Sequence, residues 1–246
     1  MKLPNGIYVG DLFMIQQKFN LSNITFSHYD LKRNIKLPKK PSVELAEFIG
    51  IVLGDGNVNS TKSGSHQIRI TADSRLDYLQ NHVTKLCVKL FNIIPKFYKF
   101  KNRNVLHLII TGKALIEYFL LMGIKSGSKI RNQSTIPKWI WKSDEYLKAC
   151  LRGLIDTDGS IYELLPNWPG LFQLTFENRN ITLLRDTRKI FVELGFNPSK
   201  ICGNKTNYGT KFYITRKSQI QKYLKEIGFS NIKHIQRTIK LQSPLV

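Results

Sequence analysis

The hydrophobic positions along this chain change period, and the changes recur in the same order. After Ser42 comes a nearly unbroken apolar run, Leu45-Ala-Glu-Phe-Ile-Gly-Ile-Val-Leu-Gly54. Ser42 predicts an N-cap, with Glu44 and Glu47 close to the first turn, so a helix should run to about Asp55 and break at Gly56. Strict alternation then predicts strands at Gln67 to Thr71, Lys96 to Lys101 and Val105 to Thr111. Between them, Leu76, Leu79, Val83, Leu86 and Leu90 give a helix over Leu76 to Phe91, and a further helix spans Lys113 to Met122, ending before Gly123. The order then starts again. A helix is predicted over 144–158, strands near 160–164 and 171–176, and a helix over 179–194. Strands near 199–203 and 210–215 and a helix over 217–227 follow.

The recurrence is visible in identities as well. At an offset of 104 residues Thr71 meets Thr175, Asp73 meets Glu177, Arg75 meets Arg179, and Ile110-Thr-Gly-Lys113 meets Ile214-Thr-Arg-Lys217. A constant offset over this length indicates an internal duplication and a pseudo-two-fold α+β chain. The expected organisation is a basic extension over 1–41, a first unit over 42–124, a linker over 125–143 and a second unit over 144–246. A helix over Asp11 to Phe19, or a small helix-turn-helix from Leu12 to Leu31, is conceivable in the extension, which suits either a basic arm or a packing segment.

The two long helices carry small residues every fourth position: Ala46, Gly50 and Gly54 in one, Ala149, Gly153 and Thr157 in the other. Such a strip lets another backbone approach closely. One residue past each strip stands an acid, Asp55 and Asp158. Two helices packed strip to strip therefore bring two carboxylates together at a common end. The strands add a second feature. Gln67, Arg69 and Thr71 share one face of their strand, and so do Lys99 and Lys101, Gln173 and Thr175, and Lys211 and Tyr213. A sheet face with these side chains suits base edges in a major groove, and it suits a solvated surface equally.

Composition narrows the partner. The chain has 246 residues, 42% of them hydrophobic, enough for a real core. It carries 38 basic against 17 acidic residues, a net charge of +21 spread along its length, which favours a polyanion and above all nucleic acid. No apolar run reaches the roughly eighteen residues of a membrane span, and no secretory leader is evident, so no membrane partner is expected. Cys87, Cys150 and Cys202 lack metal-ligand or redox spacing and read as reduced packing thiols of an intracellular protein; cytoplasm, nucleoid and organelle are not distinguished.

Phe48-Ile-Gly-Ile-Val-Leu-Gly-Asp-Gly56 and Leu151-Arg-Gly-Leu-Ile-Asp-Thr-Asp-Gly159, with their matched flanks, resemble the LAGLIDADG homing endonucleases (meganucleases) in their single-chain, two-motif form. The resemblance covers roughly residues 42 to 230. It implies two αββαββα units whose motif helices pack at the centre, with antiparallel sheets forming a saddle over DNA. It implies a monomer that hydrolyses both strands of double-stranded DNA with a divalent ion, leaving 3′ overhangs. The eighth motif position binds metal in that family, which points to Asp55 and Asp158, with the carbonyls of Gly54 and Thr157 as further ligands. Mg²⁺ is the implied ion, with Mn²⁺ as a substitute and Ca²⁺ binding without cleavage. Asp156, at the sixth position where the first motif has Leu53, reads as a helix-end or interface residue. Lys113 and Lys217 are the implied basic assistants in catalysis, with Arg75 and Arg179 as second candidates; a helix-start or phosphate-neutralising role fits those lysines equally. The implied DNA contacts are Gln67, Arg69, Thr71, Arg75, Lys99, Lys101, Gln173, Thr175, Arg179 and Lys211.

Other readings stay open. An intron RNA maturase would use the same fold and basic surface without needing the acids. A DNA-binding regulator on a retired nuclease would have lost an acid, and neither is lost. An intein is not expected, with no nucleophile at residue 1 and no terminal His-Asn. Calcium loops starting at Asp55 and Asp156 fail at their sixth and twelfth positions, which are Ser60 and His66, and Ile161 and Asn167.

Overall fold

The structure, a computed structural model, describes residues 18–61, 65–164, 168–203 and 210–242. The possible helix at Asp11 to Phe19 lies almost wholly outside them. What is described of the N-terminal segment packs on the first unit. The short helix α1 (His28–Lys32) carries a buried Asp30 whose carboxylate accepts from Ala114 N at 3.1 Å, and Phe19 meets Trp139 edge-on at 5.7 Å.

Ser42 caps the first long helix as expected, accepting from Leu45 N at 3.1 Å; this helix, α2, spans Val43–Gly54. It leads into β1 (Gly56–Ser60) and β2 (His66–Asp73), then α3 (Thr84–Phe91), β3 (Lys96–Lys99), β4 (Val105–Thr111) and α4 (Lys113–Leu121). The second unit repeats the order with α5 (Asp144–Asp158), β5 (Gly159–Leu164), β6 (Trp168–Glu177), α6 (Ile181–Glu193), β7 (Lys211–Ile214) and α7 (Lys217–Glu226). A last helix, α8 (Ile232–Gln242), follows, and the sequence pattern does not predict it. The first sheet is antiparallel in the order β1-β2-β4-β3, the second in the order β5-β6-β7. Each sheet buries one face: Ile68, Ile70, Leu106, Leu108 and Ile110 in the first, Phe172, Leu174, Phe176, Phe212 and Ile214 in the second. No described helix is long and apolar enough to cross a membrane.

Three elements differ from the pattern. The helix expected over 76–91 begins with a π-helical turn at Leu79–Val83 and becomes α-helical only at Thr84. Thr84 Oγ1 donates to Leu79 O at 2.9 Å there, and His82 is drawn to Glu47 at 2.7 Å. The helix expected from 179 starts at Ile181, because the Asn180 side chain accepts from Thr182 N and Leu183 N as N-cap. The strand expected near 199–203 is reduced to a bridge from Cys202 to Lys211, with residues 204–209 outside the described set.

The centre of the molecule is the α2–α5 contact, and its small residues explain its closeness. A Cβ on Gly50 would fall on the Cys150 carbonyl, one on Gly153 on the backbone of Glu47 and Ile51, and one on Gly54 on the Thr157 side chain. A buried polar cluster flanks this seam. Glu47 accepts from Arg152 Nη2 at 2.6 Å, from His82 Nε2 at 2.7 Å and from Ser230 Oγ at 3.0 Å. Burial alone would raise the Glu47 carboxyl, but His82 and Arg152 outweigh it and hold it at about 2. Its stabilising contribution is therefore fully present above its ordinary value near 4.5 and is lost as pH falls through about 2. Urea midpoints across that window should show a slope that Glu47→Gln reduces. At neutral pH the same variant, with Arg152 left beside a neutral amide, should lose about 3 kcal/mol.

Candidate metal centre and nucleic-acid interface

Both acids sit where the strips end. Asp55 is the C-terminal flank of α2 and Asp158 the last residue of α5, and both side chains are only partly exposed. The Asp55 carbonyl accepts from Thr71 N at 3.3 Å, fixing it to β2. Asp158 Oδ2 accepts from Asn178 Nδ2 at 2.7 Å. Burial raises the Asp158 carboxyl, and the nearby Asp55 raises it further, to about 7, against the opposing pull of Lys129 and Asn178. Burial raises Asp55 too, opposed by Lys129 and Lys233.

Lys129 is the residue that completes this centre. Its Nζ donates to the carbonyl oxygens of Gly54 and, at 2.9 Å, of Leu53, at the negative end of α2. Burial lowers its pKa, while Asp158 and Asp55 work to raise it. The ammonium thus sits on the carbonyl end of α2 and interacts electrostatically with the acids of both halves. A cavity of about 400 Å³ opens beside it, lined by Gly54, Lys129, Asp158, Asn178 and Arg179. Lys233, in the first turn of α8, acts electrostatically on Asp55 and on Asp73.

Lys113 and Lys217 stand elsewhere. Thr111 pairs with Gln67, four residues along β2 from Thr71, so Lys113 lies beyond the far end of the sheet, about 13 Å or more from Asp55. It faces Glu117 at 3.7 Å. Lys217 follows β7, whose Ile214 pairs with Leu174, four residues before Asn178, and it is distant for the same reason. The strands run away from the acids where the sequence reading needed them to return. Lys129 and Lys233 were missed, although a signal existed: the offset of 104 residues carries Lys129 onto Lys233. Asn178, the neighbour of the Glu177 that matches Asp73, was missed as well.

Register decides which side chains share the outer faces. In the first sheet Asn57 pairs with Arg69, Asn59 with Gln67, and Thr71 with His107, so these six line one outer face. His107 Nδ1 lies 3.4 Å from Thr71 Oγ1. Arg75 chelates Asp73 at 2.6 Å at the end of β2. Lys99 is a correction. It pairs with Leu106, a buried core residue, so it belongs to the inner side of the sheet edge, and Lys96 and Tyr98 take the outer positions. All four residues of β3 are exposed, so its apolar residues did not reveal the parity. Lys101 lies past the strand, in a turn. In the second sheet Thr175 stands between Ser160 and Tyr213, Gln173 faces Tyr162, and Lys211 faces Glu177, all on the outer face. Arg179 is exposed just beyond β6.

Two motif helices packed through small residues, two acids at their shared end and a sheet flanking each acid make a specific arrangement. Residues 145–228 match the model of the LAGLIDADG-like domain. About three-quarters of the chain shares the fold of solved LAGLIDADG homing endonucleases. The structure of I-DmoI in complex with DNA and Mn superposes with a TM-score of 0.55, covering 76% of this chain and 96% of that one at 18% identity. The I-LtrWI LAGLIDADG homing endonuclease bound to target DNA does so with a TM-score of 0.54, covering 81% and 90% at 13% identity. Among curated proteins, the replication factor C small subunit of Methanocaldococcus jannaschii is 32% identical over 123 residues, 47% of this chain and 7% of that protein. The isomerizing glutamine–fructose-6-phosphate aminotransferase of the same organism is 25% identical over 201 residues, 80% of this chain and 17% of that protein. The chain thus spans only a small part of the length of these two curated relatives.

The candidate centre is a two-carboxylate site: among the described residues no group of three or more His, Cys, Asp or Glu side chains could hold a metal. Its donor set nevertheless fits a hard divalent cation, because Asp55, Asp158 and the Gly54 carbonyl are oxygen donors and already gather the Lys129 cation. Such an ion would need its remaining ligands from water and from a phosphate, which is how Mg²⁺ commonly binds.

Proposed function

We propose that the chain is a metal-dependent endonuclease of double-stranded DNA, acting as a monomer inside the cell and cutting both strands at one site between its two halves. The observation that carries this reading is the meeting of Asp55, Asp158 and Lys129 at the end of the α2–α5 seam, between two sheets with polar outer faces in a chain of net charge +21. I-DmoI, of the same fold, was solved in complex with DNA and Mn and in complex with DNA and Ca, which supports duplex DNA as the partner and a divalent ion as the cofactor.

The chain's own residues divide the work. Asp55 and Asp158, with the carbonyls of Gly54 and Thr157, are the oxygen donors that would hold Mg²⁺ or Mn²⁺, and Ca²⁺ would bind without supporting cleavage. Divalent ions in such a site lower the pKa of a bound water and stabilise a leaving oxygen. Asn178 orients Asp158 through its 2.7 Å hydrogen bond. Lys129 neutralises the acids before the ion binds and is placed to meet a phosphate afterwards; Lys233 adds positive charge on the Asp55 side. Arg69, Gln67, Asn57, Asn59 and Gln173 offer donors and acceptors for base edges, and Arg75, Arg179, Lys96 and Lys211 offer charge for the backbone; Thr175 does not, being buried with its hydroxyl donated to Ser160 O at 3.3 Å. The two faces differ in composition, so a target of two unlike half-sites follows. The cut ends should carry 3′ overhangs.

Lys129→Met should slow cleavage by about a hundredfold while duplex affinity changes little, the scale seen when one preorganised electrostatic group is removed. Single-turnover rates and gel-shift affinities on one target measure both. The reading itself is tested by cleavage selection. Purified protein with Mg²⁺ is given a randomised duplex library, with Ca²⁺ as control, and the ends are sequenced. Defined double-strand breaks with 3′ overhangs in Mg²⁺ alone are expected. Uncut DNA from folded protein that binds structured RNA would overturn it in favour of the maturase reading.

A further inference from the structure

The two lysines at the centre are held by different means. The loop bearing Lys129 is tied to β1: Ser60 N donates to Ser126 Oγ at 3.0 Å, and Gly127 N donates to Val58 O at 2.9 Å. At the corresponding place in the second half, the backbone of Ser230 and Asn231 turns to Asp156 instead. Ser230 N donates to Asp156 Oδ2 at 2.9 Å and Asn231 N to Asp156 Oδ1 at 3.2 Å. Asn231 Nδ2 returns a bond to the Asp156 carbonyl at 2.9 Å, so the contact is reciprocal. Asn231 Oδ1 in turn accepts from Lys233 N at 3.1 Å, which makes Asn231 the N-cap of α8. Ser230 Oγ is bonded to Glu47, itself locked to Arg152 across the helix seam. Asp156 is 2% exposed, and its first-half counterpart is the apolar Leu53. Among the described residues the sixth-position acid is thus present only in the half whose lysine loop has no backbone bond to its first strand; there α8 reaches β5 further along, through Arg237 Nη1 to Ser160 Oγ at 3.1 Å.

We propose that Asp156 is a positioning residue: it fixes the cap of α8 and through that cap places Lys233 beside Asp55, so that one strand of the duplex depends on it and the other does not. Asp156 is too enclosed to meet DNA, and both of its carboxylate oxygens are taken by backbone N–H groups. The proposal rests on the nuclease reading for its consequence, but its geometry stands independently. Removing the acid frees the first turn of α8 while the α2–α5 seam keeps its backbone contacts and the Lys129 loop keeps β1. The loss is therefore expected on one side of the centre only.

The test uses the full chain with Asp156→Asn, and Asn231→Ala as a second variant that breaks the same cap should the first fold poorly. On the selected target, strand-resolved single-turnover cleavage should show one strand cut at the wild-type rate and the other slowed about tenfold or more, with nicked product accumulating. Lys233→Met should slow the same strand, and adding Asp156→Asn to it should cause no further loss, because the two act through one group. Equal slowing of both strands, or losses that multiply in the double variant, would overturn the proposal. Should the wild type cut no duplex, the nuclease reading has failed and hydrogen exchange still decides the positioning claim. The claim predicts lost protection confined to residues 230–235 in Asp156→Asn; wild-type protection there would refute it.

Discussion

Asp158→Asn should lower cleavage by more than about a thousandfold, equivalent to roughly 4 kcal/mol of barrier, on at least one strand, while leaving duplex affinity nearly unchanged. The substitution keeps shape and removes a negative donor from a site that has only two carboxylates. Nothing else among the described residues replaces it, since no larger cluster of metal-ligating side chains exists there. Asp158 is half-buried between Asp55, Lys129 and Asn178. Once it is neutral, Lys129 and Lys233 face a single acid, and the site binds cations less well. Affinity for DNA comes mainly from the basic surface and the sheet faces, which the change does not touch. Asp55→Asn should behave alike. Rates for each labelled strand, measured beside gel-shift titrations, separate the two effects. Wild-type cutting of both strands by either variant would remove these acids from the chemistry.

The largest structural effect should come from Gly153→Ala. A methyl group there meets the carbonyl of Glu47 and the amide of Ile51, both backbone atoms of a buried helix with no room to retreat. The α2–α5 seam must open, and Asp55 and Asp158 separate with it. Overpacking of this kind against backbone should destabilise by about 3 kcal/mol or more, a fall of roughly 6–12 °C in melting temperature for a chain of this size. A control at Gly170, whose added Cβ meets nothing within 4 Å, tests positive-φ strain (φ +78) without a packing clash. A melting temperature for Gly153→Ala within about a degree of wild type would mean that the helices are not packed as closely as the strips of small residues imply.

The seam and its acids were legible because both depend on local spacing. Gly50, Gly54 and Gly153 recur at helical intervals, and the acid follows at once. The strand faces in β2 and β6 were legible because alternation there is strict and one face is buried. β3 was not, since an edge strand with four exposed residues carries no burial signal, and Lys99 was placed on the wrong side. Lys113 and Lys217 lie away from the acids for a different reason. Lys113 and Lys217 were inferred from resemblance and symmetry, but symmetry does not say at which end of an antiparallel strand the acid lies. Lys129 and Lys233 come from a linker and from a helix past the recognised repeat; the 104-residue offset relates them to each other, but only tertiary contacts bring them to the acids. The Glu47–Arg152–His82–Ser230 cluster was equally hidden, because its members are scattered over four segments of the chain. The π-helical turn at Leu79–Val83 is the local distortion that accompanies one of these contacts.

The central claim is that one cation site is shared by the two halves. Its most direct test is anomalous diffraction from crystals of the chain with its selected duplex and Mn²⁺. The account predicts manganese between Asp55 and Asp158, against the Gly54 carbonyl, with Lys129 Nζ moved off that oxygen toward a phosphate. Manganese bound elsewhere on the protein, with Lys129 still on the Gly54 carbonyl and duplex across the sheets, would contradict it.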